Sequence, residues 1–214
     1  MEDKKKNETR QSTMQNRMEN MNGQKPKTIS IVISVYNEEK ALHEFYREAT
    51  PVFEALPWNY ELIFVNDGSA DASGQILAEL AAADPRVRVI NFSRNFGHEA
   101  AMLAGLDHSS GEGIVCMDAD LQHPPEVLVS MYRLWEQGYE VVEGVKRSRG
   151  KESTIHRACA GLFYKMMSKA VKIDMSRASD FKLLDRKAVD ALLEMPEKNA
   201  FFRALSSWIG YRST

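Results

Sequence analysis

The run Ile114-Val115-Cys116-Met117-Asp118-Ala119-Asp120, continued by Leu121-Gln122-His123-Pro124-Pro125, decides how this chain is read. Its first four residues are apolar and make a short buried strand. Side chains alternate along a strand, so Asp118 and Asp120 point the same way where this one ends. Two carboxylates on one side of a strand end repel unless a cation lies between them. Pro124-Pro125 then stops the strand and opens a helix. The arrangement suits a divalent ion that also holds a diphosphate, because Mg²⁺ takes one or two carboxylates together with substrate phosphates. A solvated acidic turn is the alternative on these residues alone.

The same alternation extends in both directions. Thr28–Val35 (TISIVISV) reads as a buried strand, and apolar residues from Ala41 to Leu56 recur at helical spacing within 38–56. Tyr60–Val65 is a second strand, followed by a helix over Asp71–Ala83 that Asp84-Pro85 ends. Val87–Phe92 is a third strand, with a helix over Gly97–His108. After Ile114–Met117 come a helix over Pro125–Gln137 and a strand over Glu140–Val145. Strands alternating with helices of this length predict an α/β fold, a mostly parallel central sheet covered by helices on both faces. Residues 1–27 are polar and without apolar periodicity, and are expected to form a disordered tail.

At 214 residues, with 43% hydrophobic and 27% charged residues, the chain suits one soluble domain with a full core. No apolar run approaches the roughly 18 residues that span a bilayer, and no signal-peptide pattern follows the start. Cys116 and Cys159 have neither a disulfide framework nor zinc spacing, and read as small core residues in a reducing compartment, the cytoplasm. The net charge of −2 hides an asymmetry. From Lys146 to Arg177 basic residues outnumber acidic ones by seven, which leaves about −9 on the rest. A cationic stretch on an acidic protein predicts an anionic partner: nucleic acid, a phosphorylated substrate or an anionic lipid.

Open sheets of this kind bind ligands at the carboxyl ends of their strands. Polar residues collect there: Tyr36-Asn37-Glu38-Glu39, Asn66-Asp67-Gly68-Ser69, Ser93-Arg94-Asn95-Phe96-Gly97-His98, and the Asp118/Asp120 pair. Singly, Asn37, Asp67, Ser69 and Asn95 read as helix N-caps; four ends together favour a shared site. Neither a Gly-x-Gly-x-x-Gly after the first strand nor a P-loop is present. His98 and His123 lie on this edge without ligand spacing, and neither is assigned to a metal.

The segments SVYNEE (34–39), VNDGS (65–69), SRNFGHEAAMLAGLDHSSG (93–111) and DADLQHPPE (118–126) together resemble an inverting family 2 glycosyltransferase of the dolichyl- and undecaprenyl-phosphate sugar transferase branch. ESTIHRACAGLFYKM (152–166), SDFKLLDRKAVDAL (179–192) and FFRALSSWIG (201–210) narrow the resemblance to the bactoprenol glucosyltransferase-like group, over residues 28–214. It implies a GT-A fold with a Rossmann-like nucleotide-binding half, a nucleotide-diphosphate sugar donor and a polyprenyl phosphate acceptor. Glu38 and Asp67 would then contact the nucleoside of the donor, UDP in this subgroup, the latter at the uracil or ribose, with Tyr36 and Asn37 also among the donor-binding residues. Asp118, Asp120 and Gln122 would hold Mg²⁺ or Mn²⁺ and the diphosphate. Lys146, Arg147 and Arg157 stand where the resemblance places the acceptor phosphate. Asp180, in Asp-Phe-Lys-Leu, is the family's candidate catalytic carboxylate, alongside Asp120; an N-cap, or an ion-pair partner of Lys182 or Arg186, is its alternative.

A phosphate monoester is anionic at neutral pH and attacks without a strong general base, so the reaction needs leaving-group stabilisation and alignment of two anions. The lipid acceptor makes a membrane surface the expected partner, at the inner face of the plasma membrane, with no nucleic acid; an oligomer is compatible with this reading. A helix over Ser153–Val171 reads as core-packed with a solvated face, or as interfacial with Met and Phe at the lipid boundary. Trp208 reads as buried, or with Tyr211 and Arg212 as a second interfacial contact. The sequence departs from the family at Ser34, usually Pro, at Gly111-Glu112-Gly113, and beyond Trp208-Ile209-Gly210, where the branch runs on into two transmembrane helices. Two rival readings stay open: an inactive or incomplete nucleotide-sugar-binding module at the membrane periphery, and a transferase of the same fold with a soluble glycan acceptor.

Overall fold

The computed structural model describes residues 27–120, 124–144, 179–195 and 209–214. Six strands run along them: β1 Thr28–Val35, β2 Asn59–Asn66, β3 Val87–Asn91, β4 Gly113–Asp118, β5 Val141–Glu143 and β6 Lys182–Asp185. Five helices join or follow them: α1 Leu42–Glu54, α2 Ser73–Ala83, α3 His98–Asp107, α4 Val127–Glu136 and α5 Arg186–Leu193. The strands form one sheet in the order β3-β2-β1-β4-β6-β5. β1 pairs in parallel with β2 from Thr28↔Asn59 to Val35↔Asn66, and with β4 from Ile29↔Gly113 to Ser34↔Asp118. The chain winds outward from β1 to β3, then returns to β1's other side as β4. The strand order therefore switches between β1 and β4, where open sheets leave a crevice at their carboxyl ends.

Alternation along the strands divides the core into two layers. Ile29, Ile31, Ile33 and Val35 of β1 pack with Leu62, Phe64, Val115 and Met117 against α1, α2 and α4. Val32, Ile63, Val65, Ile114 and Cys116 face the other way, against Ala101, Met102 and Leu106 of α3 and Ala188, Val189 and Leu192 of α5. At Gly105 α3 lies so close to β1 that an added Cβ would stand 2.1 Å from Val32 Cγ1.

Every helix expected over described residues is present, but each begins later than its apolar spacing suggests. α1 starts at Leu42 rather than 38, because residues 36–39 are held as a loop by bonds to the β2–α2 connection. The strand expected over 140–145 shortens to Val141–Glu143 and does not neighbour β4. β6 lies between them, antiparallel to both, with Gly113↔Asp185 to Cys116↔Lys182 on one side and Val141↔Leu184 to Glu143↔Lys182 on the other. The sheet is thus mostly parallel with one reversed strand. Four residues, one of them a lysine, are too short a period-2 signal to stand out from the α5 sequence that follows without a loop. Among the described residues no helix is long and apolar enough to cross a membrane.

Candidate active site

The β1–β4 crevice is lined by Ser34, Tyr36, Glu38, Asp67, Asn95, His98, Asp118, Ala119 and Asp120. All four strand ends singled out in the sequence contribute. Tyr36 stands 48% exposed at the mouth, an uncommon position for a large ring with no packing role.

The β1 and β2 ends are locked to one another. Asn37 adopts the left-handed region (φ 57°), and its amide donates to Ser69 Oγ while its Oδ1 accepts from the Ala70 amide (3.0 and 2.9 Å). The Glu38 amide donates to the buried Ser73 hydroxyl, the Glu39 amide to Asp71 Oδ2, and the Ala72 amide to Glu39 Oε2. Asn37 therefore turns its side chain to the β2 loop and is absent from the crevice lining, whereas Glu38 is left facing the crevice.

Asp67 is 2% exposed, and its carboxylate accepts from the Phe96 amide at 2.6 Å and the Gly97 amide at 2.9 Å. It clamps the loop that leads into α3 from a different strand end. Gly68, at φ 65°, allows the close approach: a Cβ there would lie 2.3 Å from the Arg94 carbonyl carbon. The residues at the N-caps themselves, Ala41, Ala72, Gly97 and Glu126, make no side-chain cap bond. The capping alternative thus gives way to clamping between loops.

Asp118 and Asp120 both face the crevice. Glu38 reports their field: burial first, then the charges of Asp120, Asp118 and Asp71, push its carboxyl above the usual range. Asp118 and Asp180 each lie two residues past the Cys116↔Lys182 pair that ends the β4–β6 register. His98, the first residue of α3, stands over both, with Nδ1 3.7 Å from Asp118 Oδ1 and Nε2 3.9 Å from Asp180 Oδ2. Its Nε2 is buried without a hydrogen-bond partner. Of the alternatives for Asp180, the N-cap of α5 is filled by Asp185, which accepts from the Lys187 amide. Arg186 is bound to the Gly111 and Ser109 carbonyls and to Asp190.

Sequence reasoning missed two things here. His98 lacked ligand spacing, so only its place at a strand end hinted at its position between two carboxylates. The clamp by Asp67 joins residues some thirty apart and has no local pattern. Gln122, Lys146, Arg147, Arg157, Cys159, Trp208 and the expected helix over 153–171 lie outside the described residues, as does the cationic stretch. Near Tyr211, Arg212 stacks on Tyr139, and its amide donates to Glu140.

The oxygen donors suit a hard divalent ion. Asp118 and Asp120 supply carboxylates in a field negative enough to disfavour Glu38's charge. Among the described residues no group of three or more potential ligands is assembled, so the two carboxylates would leave further positions to diphosphate and water.

Comparison with known proteins agrees. The chain is 47% identical over 186 residues to the uncharacterized glycosyltransferase YkcC of Bacillus subtilis (strain 168), covering 86% of this chain and 58% of that protein. It is 39% identical over 184 residues to the bactoprenol glucosyl transferase of Shigella phage SfV, covering 85% and 60% respectively. The chain thus spans about three fifths of these relatives' length. Among solved structures, the mannosyltransferase PcManGT of Pyrobaculum calidifontis, in complex with GDP-Man and Mn²⁺, superposes with a TM-score of 0.57 at 15% identity, over 96% of this chain and 61% of that one. Glucosyl-3-phosphoglycerate synthase of Mycobacterium tuberculosis, with Mn²⁺, UDP-glucose and phosphoglyceric acid, gives 0.54 at 21%, over 76% and 57%. At these identities the structures speak for the fold, the GT-A-type α/β arrangement the sequence implied. Residues 30–193 match the pattern described as glycosyl transferase family 2, and the chain belongs to that family, as a relative of the bactoprenol glucosyl transferases.

Proposed function

We propose that the chain is the catalytic portion of an inverting transferase that moves a hexose, glucose in the first instance, from a UDP-sugar to a polyprenyl phosphate at a membrane surface. The observation that carries this reading is the Asp118/Asp120 pair in the β1–β4 crevice, beside Tyr36 and Glu38, with Asp180 joined to Asp118 through His98. The named function of the bactoprenol glucosyl transferase relatives supports the acceptor.

Each group has a task that its chemistry suits. Tyr36 offers an exposed ring face to the nucleobase, and Glu38 an acceptor to the ribose side. A divalent ion held by Asp118 and Asp120, with Gln122 beside them, would act as a Lewis acid on the departing diphosphate. Asp180 sits across from Asp118, where a fixed negative charge orients the sugar and favours positive charge developing at its anomeric carbon. The acceptor phosphate brings its own nucleophilic oxygen, so no residue need abstract a proton. Lys146, Arg147 and Arg157 have the fixed charge that would hold that phosphate in line.

The test is direct. Purified protein is incubated with UDP-glucose, undecaprenyl phosphate in detergent and Mg²⁺ or Mn²⁺, and the lipid product is followed. Transfer should occur, stop with a chelator, and fall at least about 100-fold in Asp120→Ala. Undiminished transfer by that variant sinks the metal assignment. Transfer to a soluble glycan but not to the lipid phosphate sinks the acceptor.

A further inference from the structure

Beneath the crevice, on the α3 side of the sheet, lies a charged row with no part in the steps above. Lys182 of β6 is fully buried, a rare place for an ammonium group. Its cross-strand partners are Cys116 on β4 and Glu143 on β5, so the three side chains share one face. Lys182 Nζ lies 3.5 Å from Glu143 Oε1. Two residues on from Cys116 and two back from Lys182 stand Asp118 and Asp180, with His98 between them, 3.7 Å from the first and 3.9 Å from the second. Among the described residues Lys182 thus lies against Glu143 and within electrostatic reach of Asp180.

Glu143 is not the one carboxylate whose charge acts on Lys182: Asp180, two residues back along the chain, acts on it as well. The Asp180 side chain is only 8% exposed and faces a second carboxylate, an arrangement that drives one of the two away unless positive charge is near. Lys182 supplies that charge from inside, where screening is poor. Burial pushes the Lys182 pKa down, while the charges of Glu143, Cys116 and Asp180 oppose that shift.

We propose that Lys182 is a positioning residue of the transfer site: its buried ammonium holds the Asp180 carboxylate at the reacting edge opposite Asp118, and acts on turnover through Asp180 rather than on either substrate. The inference rests on reading that edge as the sugar-transfer site.

Two cycles of variants test it. Lys182→Met keeps the length and removes the charge; it should lower kcat about 30-fold or more with KM for the UDP-sugar within about threefold. The double variant K182M/E143Q should regain most of the melting temperature lost in K182M while kcat stays low. Recovery of kcat together with stability overturns the proposal, because Lys182 then only neutralises Glu143. Should K182M not fold, Lys182→Gln takes its place in both cycles, and the same outcomes support or overturn the proposal. The second cycle needs no turnover. Asp180→Asn should lower the melting temperature in the wild-type background and raise it by about 3 °C in K182M, and equal shifts in both backgrounds overturn the coupling. A wild-type protein that transfers sugar to no acceptor refutes the transfer reading instead, and the melting cycle still decides Lys182.

Discussion

Replacing Asp67 by Asn separates two roles that one carboxylate could play. In the folded protein both of its oxygens accept backbone amides, Phe96 at 2.6 Å and Gly97 at 2.9 Å, at a site only 2% exposed. Asparagine keeps one acceptor and turns an NH₂ group toward the other amide. One charge-assisted bond is weakened, and a second is replaced by two donors facing each other out of water. A bond to a charged group contributes about 1.5–3 kcal/mol, and an unsatisfied buried donor costs about 1–3 kcal/mol. With partial relaxation of the loop, the loss comes to about 2–3 kcal/mol, or about 5–10 °C in melting temperature for a domain of this size. Thermal and urea melts of the ligand-free protein measure it, and hydrogen exchange at Phe96 and Gly97 localises it. Because the same loop carries Asn95 and His98 into the crevice, KM for the donor should rise as well. A variant that melts within about 1 °C of wild type while losing donor affinity refutes the clamp and makes Asp67 a ligand contact alone.

Three further outcomes follow from the geometry. Gly68→Ala forces a Cβ to within 2.3 Å of the Arg94 backbone at a positive φ, and should destabilise by about 2–4 kcal/mol in urea melts. Asp84 is held down to about 2 from the usual 3.8, chiefly by hydrogen bonds from Arg86 and then by that of Tyr46, with burial opposing them. A depressed carboxylate contributes stability above pH 4 that is lost as pH falls toward 2, so Asp84→Asn should cost about 1–2 kcal/mol at pH 7, after discounting for the part-exposed Arg86, and almost nothing at pH 2. Glu38 is shifted the other way: its folded pKa lies above 4.5, so its charge opposes folding as pH rises through that window. Glu38→Gln should raise the melting temperature of the ligand-free protein at pH 7, with the gain vanishing below about pH 4, while weakening donor binding.

The parts of the molecule that were legible in the sequence share a physical character. β1, β2 and β4 are buried on both faces and read as continuous apolar runs, and α1 and α4 carry a clear 3.6-residue period. The carboxyl-edge site was legible for a related reason, since polar residues directly after such runs have only one place to go. What was hidden depends on partners distant in sequence. β6 exists because Leu183 and Leu184 find β4 and β5 on either side, and its buried Lys182 is tolerable only beside Glu143. Asn37 was expected to meet the donor, yet its side chain holds Ala70, a contact no local pattern announces.

The bonds joining the β1 and β2 loops bear on how nucleotide preference could change in the proposed transferase. Five hydrogen bonds tie residues 37–39 to 69–73, running in both directions. The two loops are consequently one inherited unit, although they are separated in the chain by a helix and a strand. The donors are all backbone amides, so exchanging residues 69–73 alone puts three acceptor side chains at risk and exchanging 37–39 alone puts two at risk, whereas exchanging both keeps donors and acceptors matched. Donor specificity in such a scaffold should drift by paired replacements, and libraries that vary one loop alone will sample mostly unfolded edges.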